Sequence, residues 1–359
     1  MIIIIIRSLS LSHTHTHSLS LSFVLSLSLS LSLSLSLSLS DGIDFWWNDE
    51  GETQWFTYQW WNEAQQKEAA AVFPHKRIWS INRAYTPGMQ RFPAIIWSGD
   101  RSDCSHATAL LFSIQGATHM TCDMQDGGDD DHLTGIGADF LVRQYQNAAT
   151  LPFMRVHKMH GVPRMPWLWG NSSHEAAFRA ALDLRYQLIP YIYSLAHRAH
   201  RTGIPIARPA SHAFPAAMLV AKAKSGAEPY LLGDSIIPCD WDRIEKIGND
   251  ANVASVSLPV GNDEKAPLSW YRFGTSKATL GTGNALTMSG LLLKEMPIYV
   301  REGSVLPLQQ ASDKVQMTSE LGNQLDVHIY GGLDASFVMV EDDGATDAFS
   351  LVGAKATRR

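Results

Sequence analysis

The chain has 359 residues and a formal net charge of −6, from 29 basic and 35 acidic side chains. Hydrophobic residues make up 45% and charged residues 18% of the sequence, which is the composition of an ordinary globular protein with a sizeable core. The basic residues form no long run, so the sequence argues against a nucleic-acid-binding protein and favours neutral partners.

The three cysteines, Cys104, Cys122 and Cys239, are too few and too scattered for a disulfide framework. No Cys-x-x-Cys pair indicates a zinc site. We interpret Cys104 and Cys122 as small apolar residues that pack in a core. The cysteine content does not indicate whether the compartment of the protein is reducing or oxidising.

Residues 1–40 are a low-complexity segment in which leucine and serine alternate almost without interruption from Ser8 to Ser40. This pattern lacks the varied side chains of a packed core, so we expect a disordered segment or the product of a translated dinucleotide repeat. The opening "MIIIIIR", followed by serine at every second position, matches a secretory signal peptide poorly.

Five strand-like runs follow, and each ends in polar residues. They are residues 42–49, 77–82, 93–100, 116–123 and 151–157. Helical stretches separate most of these runs, and this alternation is typical of a parallel sheet covered by helices. In barrels of this kind the catalytic groups lie at the carboxyl ends of the strands, where the sequence places Asp49, Asp100, Asp123 and His157.

The second half of the chain has a different pattern. Residues 174–203 are predicted to form a long helix that is kinked or restarted at Pro190 and ends at Gly203. Beyond that helix, short alternating runs are separated by glycine or aspartate turns, which indicates antiparallel β structure over residues 205–359.

Six motifs, in order, resemble those of glycoside hydrolase family 31, the α-glucosidases, α-xylosidases and their relatives. "DFWWNDEGE" (44–52) is similar to the family's nucleophile motif, and "RFPAIIWSGD" (91–100) is similar to its acid/base motif. "CDMQDGG" (122–128) is similar to the Asp-Ile-Gly-Gly segment, and "PFMRVH" (152–157) to the Arg-x-His strand that binds sugar. The stretches at 189–209 and 296–307 resemble the last barrel helix and the following β domain.

The resemblance implies that Asp49 is the nucleophile and Asp100 the acid/base of a retaining glycosidase. Such an enzyme needs two carboxyl groups about 5 to 5.5 Å apart, one ionised and one protonated. The residues implied to bind the sugar hydroxyls are Arg83, Asp123, Arg155 and His157, with Trp47 and Trp97 as walls of the same subsite. No cofactor and no metal is implied.

Simpler roles stay open for several of these side chains. Asp123 could hold a neighbouring loop through hydrogen bonds, Arg155 could pair with a buried carboxylate, and His157 could be a core residue. Glu50 and Glu52, which flank Asp49, are interpreted as caps of the following helix rather than as catalytic groups.

The implied fold is α/β: a partial (β/α)8 TIM barrel, about strands 4 to 8, followed by antiparallel β-sandwich domains. The predicted domains are residues 41–204 for the barrel part, 205–310 for a proximal β-sandwich and 311–359 for the start of a truncated distal β domain. Because the resemblance lacks the first three barrel strands, we expect this chain to have little or no hydrolase activity.

The implied function is retaining hydrolysis of terminal α-linked sugars through a covalent glycosyl-aspartate. An α-transglycosylase of the same family and an inactive carbohydrate-binding remnant are the alternatives. The implied partner is an oligosaccharide or glycoside, with no nucleic acid and no metal. The family resemblance is compatible with the secretory pathway or the extracellular space, and the oligomeric state is not predicted.

Overall fold

A computed structural model describes most of the chain beyond the leucine-serine segment. The described residues are 42–52, 54, 56–99, 104–124, 135–157, 166–169, 172–214, 228–239, 245–247, 251–261, 267–282, 285–310 and 324–347. The predictions for residues 1–40 and for Asp100 lie outside this set. The chain divides into two compact units, residues 1–99 with 342–356, and residues 100–341 with 357–359.

The first unit contains a parallel sheet and one long helix. Its elements are β1 (Phe45–Asn48), α1 (Thr57–Val72), β2 (Trp79–Asn82) and β3 (Ala94–Trp97). β1 pairs with β2 and β2 pairs with β3, both in parallel. α1 forms the crossover from β1 to β2 that a parallel pair requires. Aromatic and β-branched residues dominate the strands, as the pleated backbone favours.

A small apolar core joins the helix to the sheet in this unit. Trp46, Ala69 and Ile78 are each at most 3% exposed and pack together. Because β1, β2 and β3 are parallel, their carboxyl ends lie at one edge of the sheet, and the polar residues that follow the strands lie there as well.

A segment near the end of the chain also belongs to the first unit. Arg77 pairs with Asp342 at 2.9 Å and with Asp343 at 3.1 Å, and its backbone N–H donates to the carbonyl oxygen of Ala345 at 2.8 Å. The pKa of Asp343 lies well below its usual range, chiefly because the hydroxyl and the backbone N–H of Thr346 donate to its carboxylate. These contacts fasten residues 342–347 to the segment that precedes β2.

The helices of the second unit confirm that the long helix predicted at residues 174–203 restarts at Pro190 and ends at Gly203. They are α2 (His106–Ile114), α3 (Gly135–Ala149), α4 (Ser172–Gln187) and α5 (Ile189–Thr202). The predicted long helix restarts between α4 and α5, with Pro190 in the first turn of α5, where its missing N–H is tolerated. Gly203 ends α5 with φ +73°, and its N–H donates to the carbonyl oxygen of Ala199. None of the helices within the described ranges is long and apolar enough to cross a membrane.

The second unit also contains the two-residue strand β4 (Met120–Thr121), which is not part of an antiparallel sheet. Antiparallel sheets make up the rest of the unit, as predicted. Their strands are β5 (Ala207–Pro209), β6 (Tyr230–Leu232), β7 (Ile236–Pro238), β8 (Glu245–Ile247), β9 (Ala251–Ser257), β10 (Ser269–Arg272), β11 (Ala278–Leu280), β12 (Ala285–Leu291), β13 (Ile298–Arg301), β14 (Ser304–Gln309) and β15 (Leu325–Tyr330). Six of them form a sheet in the order β11-β10-β13-β7-β6-β5, three form a sheet in the order β12-β9-β8, and β14 pairs with β15.

The six-stranded and three-stranded sheets share one apolar core. Leu231, Ile237 and Trp270 come from the larger sheet, and Val256 and Leu291 from the smaller one, and all five are at most 6% exposed. Two sheets with a common core form a β-sandwich. The fold class is therefore confirmed as α/β with a parallel sheet followed by antiparallel sheets, and the exact domain boundaries stay a prediction.

The predicted strand at 151–157 is wrong. Residues 151–157 form no strand in the structure, although the N–H of Phe153 donates to the carbonyl oxygen of Met120 in β4 at 3.1 Å. β4 is only two residues long, and Pro152 has no N–H to donate to a ladder. The segment therefore runs past β4 without forming a regular pair.

The interpretation of Cys104 and Cys122 as separate core residues is also wrong, because they form a disulfide. Their Cα atoms are 5.2 Å apart, and both side chains are at most 2% exposed. Cys104 precedes α2 and Cys122 follows β4, so the bond joins two elements whose proximity no sequence spacing indicates.

Removing this disulfide is expected to lower the free energy of unfolding of the chain. The bond closes a loop of 18 residues, and loops of that length contribute roughly 3 kcal/mol by restricting the unfolded chain. Urea unfolding of the Cys104→Ala/Cys122→Ala double variant measures the loss. Titration of the denatured, unreduced wild type should find one thiol per chain, that of Cys239, and three thiols would contradict the pairing.

Candidate active site

Asp49 and Arg83 meet at the carboxyl ends of two adjacent parallel strands. Asn48 and Asn82 are register partners at the ends of β1 and β2, and Asp49 and Arg83 are the residues that follow them. Arg83 Nη1 donates to Asp49 Oδ1 at 3.0 Å, and the backbone N–H of Arg83 donates to the carbonyl oxygen of Asn48 at 3.1 Å. The Asp49 side chain is 25% exposed, so a molecule from solvent can reach a carboxylate that is already oriented.

The two glutamates in the turn after Asp49 do not cap the following helix, contrary to the prediction. α1 begins five residues after Glu52, and no side chain caps its amino end. Glu52 instead accepts from Arg83 Nε at 2.7 Å, and Glu50 adopts φ +55° while its N–H donates to Asp49 Oδ1 at 2.8 Å. The capping prediction is wrong, because Glu52 pairs with the guanidinium of Arg83 and no side chain caps the helix. Arg83 therefore holds two carboxylates at once.

Tyr58 fixes the same turn from the helix side. Its hydroxyl oxygen accepts from the backbone N–H of Gly51 at 3.0 Å. Burial, with a smaller contribution from the nearby charge of Glu52, raises the pKa of the Tyr58 phenol well above its ordinary value. A side chain at position 51 would come within 3.0 Å of Thr57 and Trp61, so glycine is required for this close approach.

Trp47 and Trp97 pack against each other at the same end of the sheet. Their ring centroids are 5.9 Å apart at an interplanar angle of 60°, an edge-to-face arrangement. Trp97 is 1% exposed and Trp47 is partly buried. Trp97 consequently serves the packing of this edge, and Trp47 is the ring of the pair that keeps surface open to a ligand.

A cluster of buried polar side chains behind Asp49 and Arg83 was not predicted. We call it the amide network, and each of its members is at most 1% exposed: Asn48, Asn62, Gln65, Ser80 and Asn82. The sequence does carry a signal for it. The buried face of α1 consists of residues 58, 62, 65 and 69, a helical spacing at which two amides interrupt an otherwise apolar stripe.

The second unit brings together Asp123, Arg155 and His157. Asp123 lies just beyond β4 and is completely buried. Arg155 Nη2 donates to Asp123 Oδ1, Arg155 Nη1 lies 3.3 Å from His157 Nδ1, and His157 Nε2 lies 4.0 Å from Asp123 Oδ2. Arg155 thus has the buried carboxylate partner that was left open as an alternative. The pairing does not exclude sugar binding by the same group, because a carboxylate and a guanidinium each have several hydrogen-bonding sites.

Within the part of the chain that the structure describes, no group of three or more His, Cys, Asp or Glu side chains could hold a metal ion. Asp100, the predicted acid/base, lies outside the described residues. Seven of the eight predicted site residues therefore fall into three local sets: Asp49 with Arg83, Trp47 with Trp97, and Asp123 with Arg155 and His157.

Comparisons with known proteins agree on one family. Residues 32–195 match the model of the glycosyl hydrolases family 31 TIM-barrel domain. Over 305 residues, 80% of this chain and 38% of its relative, the chain is 29% identical to an alpha-xylosidase of Saccharolobus solfataricus. Over 289 residues it is 26% identical to a 1,6-alpha-glucosyltransferase of Sporosarcina globispora, which covers 76% of this chain and 21% of the relative.

Solved structures resemble the fold over a greater share of the chain. A family 31 dextranase of Flavobacterium johnsoniae, complexed with isomaltotriose, superposes with a TM-score of 0.75 at 22% identity and covers 91% of this chain and 43% of the dextranase. That complex shows that a protein of this fold binds an oligosaccharide. The chain spans less than half the length of each relative named here.

Proposed function

Because the chain belongs to glycoside hydrolase family 31, we propose that it carries the site of a retaining α-glycoside hydrolase that acts on terminal α-linked sugars. The observation that supports this most is the ion pair of Asp49 and Arg83 at the ends of adjacent parallel strands. The guanidinium lies 3.0 Å from Asp49 Oδ1 and orients the carboxylate that is proposed to attack the sugar.

In the proposed reaction Asp49 attacks the anomeric carbon, and its oxygen forms a bond there as the bond to the leaving oxygen breaks. Asp100 gives a proton to that leaving oxygen, so the sugar remains attached to Asp49. Asp100 then accepts a proton from water, which attacks the same carbon and frees Asp49. Asp123, Arg155 and His157 would hold the sugar hydroxyls, and the exposed part of Trp47 would face the ring.

Transglycosylation is a second candidate, because one relative is a 1,6-alpha-glucosyltransferase. The first half of the reaction is the same for both activities. In the second half a sugar hydroxyl replaces water as the group that attacks the glycosyl-aspartate. Adding maltose and analysing the products separates them, since transfer gives longer oligosaccharides and hydrolysis gives free monosaccharide.

Covalent trapping tests the proposal without requiring fast turnover. A 5-fluoroglycosyl fluoride of the α-glucose configuration should add one sugar per chain, and peptide mass spectrometry should find it on Asp49. Asp49→Asn should abolish the addition, whereas Glu52→Gln, which removes the other carboxylate on Arg83, should retain it. A sugar on another residue contradicts the assignment. Binding of isomaltose by calorimetry without any covalent addition would show a carbohydrate-binding remnant instead.

A further inference from the structure

The amide network connects the helix and the ends of the first two strands through a closed set of hydrogen bonds. Asn48 and Gln65 exchange two bonds, from Asn48 Nδ2 to Gln65 Oε1 at 3.1 Å and from Gln65 Nε2 to Asn48 Oδ1 at 2.7 Å. Asn82 Oδ1 accepts from Asn48 Nδ2 and from Asn62 Nδ2, each at 2.8 Å. The side-chain oxygen of Asn82, on β2, thereby accepts hydrogen bonds from both β1 and α1.

The remaining bonds extend the network to the third strand. Asn82 Nδ2 donates to Ser80 Oγ at 2.9 Å and to the carbonyl oxygen of Ile95 in β3 at 3.3 Å. Asn62 Nδ2 donates to the carbonyl oxygen of Tyr58 at 2.7 Å, and Asn62 Oδ1 accepts from Ser80 Oγ. Each of the three asparagines therefore uses both N–H groups and the oxygen of its side-chain amide in hydrogen bonds.

Such a network costs more to assemble than an apolar core of equal volume unless it is fully satisfied. Apolar side chains such as leucine would bury this interface without fixing its orientation, because the hydrophobic effect has no direction. Amide hydrogen bonds do have direction, and a slip of either strand would break several of them together. The network thus fixes the relative position of the ends of β1 and β2.

The residues whose position is fixed in this way are the ones next to the reactive groups. Asn48 and Asn82 face each other in register and directly precede Asp49 and Arg83. We propose that the amide network positions the carboxylate of Asp49 against the guanidinium of Arg83, so that its members are positioning residues of the site. This inference rests on the proposed function, because it assigns the network to the step in which Asp49 attacks the sugar.

The test compares neighbouring glutamines of α1 in the full chain. Gln65→Met removes the exchange with Asn48 at nearly constant volume. Gln66→Met is the matched control, because Gln66 Nε2 donates to the carbonyl oxygen of Ile78 at 3.1 Å and takes no part in the network. We expect Gln65→Met to slow covalent labelling at saturating 5-fluoroglycosyl fluoride by roughly 10- to 100-fold, because small misplacements of a reacting group have effects of that size. The probe concentration at half-saturation should change little, and Gln66→Met should label as the wild type does.

A second variant separates positioning from general damage to the fold. In Gln65→Glu, the carboxylate still accepts from Asn48 Nδ2, but only the protonated form donates to Asn48 Oδ1. Its labelling rate relative to the wild type should therefore rise as the pH falls, whereas the ratio for Gln65→Met should stay flat. A structural role alone predicts no such pH dependence at temperatures where both variants are folded by circular dichroism.

Two results would overturn the inference: wild-type labelling kinetics in folded Gln65→Met, or an equal loss in Gln66→Met. If the wild type itself is not labelled, the proposed function fails, and crystal structures then decide the inference separately. In Gln65→Met the distance from Asp49 Oδ1 to Arg83 Nη1 should differ from that in the wild type, and an unchanged ion pair would contradict positioning by the network.

Discussion

Arg155→Met is expected to lower the free energy of unfolding of the second unit by about 3 to 5 kcal/mol, the usual result of removing one partner from a buried ion pair. Asp123 is 0% exposed, and Arg155 donates to its carboxylate. His157 Nε2, at 4.0 Å from Asp123 Oδ2, is too distant to replace that hydrogen bond. The substitution therefore leaves a buried negative charge without its guanidinium. Urea unfolding of the full chain, followed by circular dichroism, measures the change.

The matched control for this prediction is Arg179→Met, on the surface of α4. Arg179 pairs with Glu175 at 3.4 Å, but the two side chains are 63% and 49% exposed, so we expect a change below about 1 kcal/mol. Replacing both buried partners, in Asp123→Leu/Arg155→Met, should recover part of the lost stability, because no uncompensated charge then remains. If Arg155→Met is as mild as Arg179→Met, Asp123 has enough other partners to make the ion pair dispensable.

The stability of this pair bears on its role in the site. A carboxylate and a guanidinium that are held rigidly against each other can present their remaining hydrogen-bonding groups to a sugar without being ordered by it. Pairing and sugar binding are thus compatible, and the two readings that the sequence left open for Asp123 and Arg155 can both hold. Binding of isomaltose by Arg155→Met, measured under conditions where it is folded, distinguishes the two contributions.

The sequence predicted those features that depend on neighbours along the chain. Aromatic and β-branched runs marked β1 to β3, because strand preference comes from side chains packed on a pleated surface. Polar residues after each run marked the edge where Asp49 and Arg83 meet. Pro190 and Gly203 marked the restart and the end of α5, since each acts through its own backbone geometry.

Features that depend on distant partners were missed. The disulfide joins Cys104 to Cys122 only because α2 and β4 come together, and nothing local reports that contact. Glu52 was interpreted as a helix cap, because sequence proximity favours the helix, but the cation that it contacts is 31 positions away. The prediction of a strand at 151–157 was wrong although the local pattern was suitable, because β4, the neighbouring strand, has only two residues to pair with.

The amide network shows how a correct local assignment can hide a functional feature. α1 was predicted as a helix, yet Asn62 and Gln65 were not singled out, because polar residues on a helix usually face solvent. Their burial follows from the 58, 62, 65, 69 spacing, which places them on the face that carries Ala69. Polar residues at apolar positions of a helical stripe are therefore worth testing for partners near a predicted site.

Asp49→Gly is expected to abolish hydrolysis of an aryl α-glucoside, whatever its rate in the unchanged chain, because the substitution removes the carboxylate that is proposed to form the glycosyl intermediate. The loss should be partly reversible. Glycine leaves room for a small anion beside Arg83, and azide can enter there and attack the anomeric carbon directly. Because that single displacement inverts the carbon, the product should be the β-glucosyl azide, which nuclear magnetic resonance distinguishes from the α form.

Glu52→Gly gives the control for this rescue, since it opens space beside the same guanidinium without touching Asp49. It should keep most of the wild-type rate and form no glucosyl azide. Azide rescue in Glu52→Gly, or its absence in folded Asp49→Gly, would transfer the role of nucleophile away from Asp49. The two carboxylates contact different nitrogens of Arg83, Nη1 for Asp49 and Nε for Glu52. The variant that forms the β-glucosyl azide thus reports which carboxylate, and so which nitrogen of the guanidinium, belongs to the reacting group.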